Sequence, residues 1–234
     1  MATEEAGKPP EKPGERLEDL EKSCVEPGLY IFMPDGTRLD LTLANIERVA
    51  AEFWEDPAKF SPEARQAIDL EKCAMCPDLG RPGVCHAIHP ILPIVRQADK
   101  YRSYTPVRVL FKAEDGKLVR SAEVPIQQAL SYVCTLSLIC YCDVGKKYWE
   151  YYEGIHPLMQ AHEIAHRLLL NINQANAGDP EKVRAIVEQF EREIMVTTRC
   201  VLNRLHLLCR EDALLNAFVT AQSPAALIKI MTGG

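Results

Sequence analysis

The sequence predicts an α+β fold, with two β-hairpins forming a small antiparallel sheet, followed by a helical bundle. Three observations carry that prediction. Two apolar strand pairs flank Asp-Gly turns, at Pro34-Asp35-Gly36 and at Glu114-Asp115-Gly116. From Pro125 onward the apolar residues recur at three- and four-residue spacing, and strand signals stop. The hydrophobic share, 47% of 234 residues, is enough to bury a large core without help from a metal.

The elements follow in order. Residues 1–27 carry eight acids and four bases, most of the net charge of −6, and read as a disordered acidic tail. Residues 28–234 read as a single domain, with the sheet and a cysteine loop in 28–124 and the helical part in 125–234. Residues 29–33 pair with residues 37–43, where Leu39, Leu41 and Leu43 alternate with polar neighbours. Asn45 is the expected cap of a helix reaching Trp54, with Ile46, Val49, Ala50 and Phe53 on one face. Ser61-Pro62 opens another helix that runs to Cys73. Pro90 and Pro93 frame a short helix ending near Tyr101, and residues 106–111 and 117–124 make the second hairpin.

Pro125 then opens a helix through Cys142. It carries no charge, but Gln127, Gln128, Ser131, Thr135 and Ser137 suit a buried core helix better than a membrane span. Residues 146–153 form the next helix, with Tyr148, Trp149 and Tyr152 packed inward at helical spacing. Helices from His156-Pro157 to Ala175 and from Pro180 past Cys209 follow, and Ser223-Pro224 splits the remainder in two.

Beyond the tail the charge is close to balanced, which argues against a nucleic-acid surface. The first residues hold no apolar leader, so a cytoplasmic, reducing location is expected, where clustered cysteines serve metals more often than disulfides.

The strongest chemical signal is Cys73-Ala-Met-Cys76-Pro-Asp-Leu-Gly80-Arg-Pro82-Gly83-Val-Cys85-His86-Ala-Ile-His89. Two thiols separated by two residues grip one ion from a single turn. Cys85 returns to the same ion if Gly80, Pro82 and Gly83 fold the loop back. The expectation is a structural zinc site, with an iron–sulfur cluster as the alternative if four cysteines take part. On spacing alone the fourth ligand is His89, whereas His86, directly after a ligand, is less conveniently placed.

A second signal is His162-Glu163-Ile164-Ala165-His166, which on a helix puts both imidazoles on one face with Glu163 as a general base. Arg167 follows directly, and Leu169 and Ile172 stand where an extended zinc-protease motif needs glycine and histidine. A polar helix face is the expectation, and a zinc hydrolase the alternative. Cys134, Cys140, Cys200 and Cys209 lie in apolar helical surroundings and read as small hydrophobes.

Taken together, Cys73, Cys76, Pro77, Cys85, Ser103, Tyr104, Val107, Val109, Gln128 and Cys142 resemble an uncharacterised bacterial, mainly proteobacterial, cysteine-containing domain of the Cys-x2-Cys-Pro type. His156, Glu163 and Arg167 fall where that pattern has His, Glu and Arg, and the likeness covers roughly residues 50–175. It implies that Cys142 is the fourth thiolate, and that Glu163 and Arg167 form a helix pair with His162 and His166 incidental. Tyr141 and Asp143 depart from the pattern, which has a small residue and a proline there. The family brings no activity. The expected function is a metal-stapled binding or regulatory module for a protein partner or small ligand, with no nucleic acid or membrane. A cysteine-based redox or iron–sulfur sensor is a further alternative.

Overall fold

Both hairpin turns close as their sequences require. In the computed structural model, which describes residues 17–79 and 84–233, Gly36 and Gly116 adopt φ of +85° and +78°, a left-handed backbone suited to glycine. Asp35 and Asp115 each accept a hydrogen bond at 2.9 Å from the amide two residues on, that of Thr37 or Lys117. The strands β1 (Gly28–Phe32), β2 (Arg38–Leu41), β3 (Pro106–Lys112) and β4 (Leu118–Pro125) form one sheet in the order β2-β1-β3-β4. Every pair is antiparallel, so the hairpins join through the first strand of each.

The register sorts the side chains. Leu29 and Ile31 lie opposite Leu41 and Leu39 on one side and opposite Phe111 and Val109 on the other. These residues face the main core. Tyr30 and Leu110 point the opposite way and meet Cys24, Leu20 and Phe32. Part of the expected tail is therefore structured. Residues 17–23 form α1 (Leu17–Ser23), Cys24 is buried, and the Tyr30 hydroxyl both accepts from Glu26 N–H and donates to Glu26 C=O. Burial of Leu20 and Cys24 on the second sheet face is what composition alone did not reveal. The remainder of that tail, residues 1–16, lies outside the described residues, as do Gly80, Pro82 and Gly83.

Helix α2 (Leu43–Glu55) is capped by Thr42, whose hydroxyl accepts Asn45 N–H at 3.1 Å. Asn45 was the expected cap, but its amide side chain donates to Asp40 C=O instead. Ser61 caps α3 (Pro62–Asp69) as expected, and α4 (Leu92–Ala98) follows the cysteine loop.

The helical layer comprises α5 (Ile126–Leu136), α6 (Ala161–Ala175), α7 (Pro180–Leu205) and α8 (Ala213–Met231). Helix α8 packs on α5, α6 and α7 and is the axis of the layer. Pro224 does not split it. Proline removes one backbone hydrogen bond, but Phe218, Ala221, Ala225 and Ile228 continue one buried face across it. By length and composition α8 could also cross a membrane; α5, the charge-free segment, is a core helix whose Ile126, Leu130 and Val133 are fully buried. Residues 146–152 form a 3-10 helix, with three residues per turn. That period turns Tyr148 inward onto Phe190 and leaves Trp149 exposed, contrary to the α-helical expectation.

Candidate metal centre

The cysteine loop leaves α3 and returns at α4, and the end of α5 faces it. Four cysteines each open a turn closed by the amide three residues on. These bonds run from Cys76 N–H to Cys73 C=O at 2.9 Å, and from Leu79 to Cys76, Ile88 to Cys85 and Gly145 to Cys142 at 3.0 Å. Such turns aim amides back at the first side chain. The Cys73 sulfur receives the amides of Met75 and Cys76, and Cys76 that of Asp78. Cys85 receives those of Ala87 and Ile88, and Cys142 those of Gly145 and Val144. Amides aimed at sulfur favour the thiolate. Among the described residues, the helical thiols Cys134, Cys140 and Cys209 receive none, and burial pushes all three up.

Two segments far apart in sequence are held together here. Helix α5 widens into a π-turn over Ser137–Tyr141 before Cys142. The Ser137 hydroxyl donates to Ala87 C=O, joining that turn to the one opened by Cys85. His86 and Asp143, the residues immediately after Cys85 and Cys142, pair at 2.7 Å, and Lys146 holds the other Asp143 oxygen at 2.5 Å. A Cβ on Gly145 would collide with Leu138 C=O, so the Cys142 turn lies directly against the helix end and needs glycine.

Helix α7 adds a fifth thiol. Cys200 lies near enough to Cys73 and Cys85 to act on both thiols. Its sulfur accepts Arg204 Nη1–H at 2.8 Å. Arg204 is 1% exposed, and its Nη2 donates to Leu70 C=O and Glu71 C=O at 2.7 and 2.8 Å, clasping the chain just before Cys73. Its buried Nε has no hydrogen-bond partner.

The electrostatics follow from this crowd. Cys200, with the Met75 and Cys76 amides, lowers Cys73 to about 6. Cys85 falls to about 6 through Cys200, then Arg204 and its own amides. Burial raises Cys142 to about 11, and negative charge on Cys85 and Cys73 adds to that rise. Burial and the same neighbours also raise Cys76. Cys73 and Cys85 are thus lowered, and Cys76 and Cys142 raised.

His89, the alternative fourth ligand, packs edge-on against Trp54 at 5.4 Å, and burial lowers its basicity. In α6, Glu163 completes a capping box, accepting Gln160 N–H at 2.6 Å, and His166 Nδ1 lies 2.7 Å from His162 C=O. Among the described residues no group of three or more His, Cys, Asp or Glu side chains stands close enough to hold a metal ion as they lie. In sequence Cys200 reads as a small hydrophobe, and Arg204 belongs to no motif. The available signal was Arg204 itself, a charge three residues after Val201 inside the apolar stripe of α7. No family model, curated protein or solved structure matches the chain.

Proposed function

We propose that the protein is a metal-stapled binding or regulatory module. Cys73, Cys76, Cys85 and Cys142 hold a thiophilic metal centre that fastens the cysteine loop to the end of α5. One observation carries this reading: these four of the nine cysteines, and none of the three purely helical thiols Cys134, Cys140 and Cys209, open turns whose amides point at their sulfurs. Zinc and iron–sulfur centres both use four thiolates, and four protein ligands leave no open position for substrate. Such a centre requires reduced thiols, which suits a cytoplasmic location.

Metal binding is coupled to folding of the loop, because its ligands come together only in the folded chain. The test is elemental analysis and thermal melting of protein purified without chelator, with each cysteine changed singly to serine. Loss of metal for the variants at 73, 76, 85 and 142, but not at 134 or 209, is expected. Metal-free protein that melts identically with and without added zinc or iron overturns the reading.

A further inference from the structure

We propose that a cavity between α2, α3, α4 and the end of α7 binds a small organic phosphate, a phosphate monoester on an aromatic or aliphatic body. The proposal goes beyond the metal staple and does not depend on it.

The cavity holds about 470 Å³, within the range of sites that take small ligands. Its lining is of two kinds. The apolar part is Leu92 and Val95, buried in α4, joined by Phe53 of α2 and Leu208 after α7. The charged part sets Lys59, Arg96, Lys100 and Arg210 against Glu63 and Asp99, an excess of two positive charges. The whole chain carries −6, so this excess runs against the protein's own sign. A phosphate monoester brings a charge of about −1.5 to −2 at pH 7, which matches it.

The bases are positioned without being neutralised. Lys59 Nζ donates to Glu52 C=O at 2.8 Å, and Arg96 Nη2 donates to Lys59 C=O at 3.3 Å. Carbonyl acceptors fix a cationic head but leave its charge uncompensated. Asp99 Oδ1 accepts the amides of Arg210 and Glu211 at 2.5 and 2.9 Å, so it ties the chain after α7 to α4 instead of pairing with a base. Among the described residues no ion pair includes any of the four bases. Helix α3 opens on the same cavity through Ser61 and Ala64, which adds the positive end of its dipole. The guanidinium forks of Arg96 and Arg210 suit phosphate oxygens.

A second cavity, of about 290 Å³, shows the contrast. Its two bases already have carboxylates, Arg38 with Asp40 and Arg48 with Glu52, each at 2.6 Å. No positive charge is left over there.

The test titrates the full-length protein with phenyl phosphate by isothermal titration calorimetry, beside inorganic phosphate as the head alone and phenol as the body alone. Phenyl phosphate is expected to bind with a Kd below about 1 mM and about tenfold or more tighter than either part. Arg96→Gln and Arg210→Gln, both at exposed positions, should each weaken it about tenfold, the loss of one charge-assisted contact. Arg48→Gln, in the second cavity, should leave it unchanged. Phenyl phosphate bound no tighter than inorganic phosphate, or weakened equally by Arg48→Gln, overturns the site, as does no binding at all. Sedimentation with vesicles containing phosphatidic acid, without binding of phenyl phosphate, would move phosphate recognition to a membrane surface and overturn the soluble ligand. Metal content is read separately in the cysteine variants, so failure here leaves the staple standing, and a metal-free protein leaves this site to its own titration.

Discussion

Residues 73–89 and residues 162–166 both place soft or imidazole donors at metal-ligand spacing, yet the backbone treats them differently. Around the cysteines, turns direct amides onto sulfur, a second segment arrives at Cys142, and Arg204 clasps the approach to Cys73. In α6 the same polar groups serve the helix. Glu163 caps its first turn, and His166 reaches back to the carbonyl of His162. Spacing in sequence states which donors can meet. Whether the main chain supports the charge they would carry is decided elsewhere, and it separates the two.

The comparison breaks most readily at Arg204. Arg204→Met leaves Leu70 and Glu71 carbonyls and the Cys200 sulfur without their donor. The expected cost is about 3 kcal/mol or more in unfolding free energy, with loss of bound metal. Chemical denaturation giving a loss below about 1 kcal/mol would show that the clasp does not hold the loop. Gly145→Ala comes next. Its methyl meets Leu138 C=O, so the Cys142 turn must move, at about 2–3 kcal/mol and with reduced metal content. Unchanged metal content in that variant would detach Cys142 from the centre.

Glu193 anchors the segment that follows Cys142. It accepts from Tyr148 at 2.7 Å and from Lys147 and Gln189 at 2.9 Å. Burial pushes its carboxyl up, but these three donors outweigh burial and bring it below the ordinary 4.5. Its contribution is therefore complete above pH 4.5 and is lost as pH falls through the lower folded value. The stability gap between the wild type and Glu193→Gln should be larger at pH 7 than at pH 3, and a gap independent of pH would contradict the assignment. The smallest effect belongs to α6. Glu163→Ala removes half of a capping box, about 0.5–1 kcal/mol, and metal content measured beside it should not change. A fall in metal content would restore the histidine face as a site.

Much of the fold was legible because its signals are local. Asp-Gly turns, the Leu39 and Leu41 alternation and the α7 stripe of Val183, Val187, Phe190 and Ile194 each depend on neighbours within a few residues. The joining of β1 to β3 was expected only as a union of hairpins, since no local residue states which edges meet. Trp149 was misplaced because a 3-10 period and an α period diverge within one turn. Of the proposed site, Cys73, Cys76 and Cys85 are legible as candidates from their spacing, and Cys142 only as what the resemblance implies. Cys200 was not, because a single thiol in an apolar helix acquires meaning only from the loop that packs on it.

The Arg204 clasp also sets a timetable. Its partners Leu70 and Glu71 precede it by 134 and 133 residues. During synthesis the thiols at 73, 76 and 85 leave the ribosome long before the helix that secures their approach. Until α7 has formed, that approach lacks its clasp, and closing so long a segment is slow. A chain stopped before α7 would present the nascent thiols to oxidants and to free metal ions, so any chaperone or metal donor acting on this protein meets the open loop first.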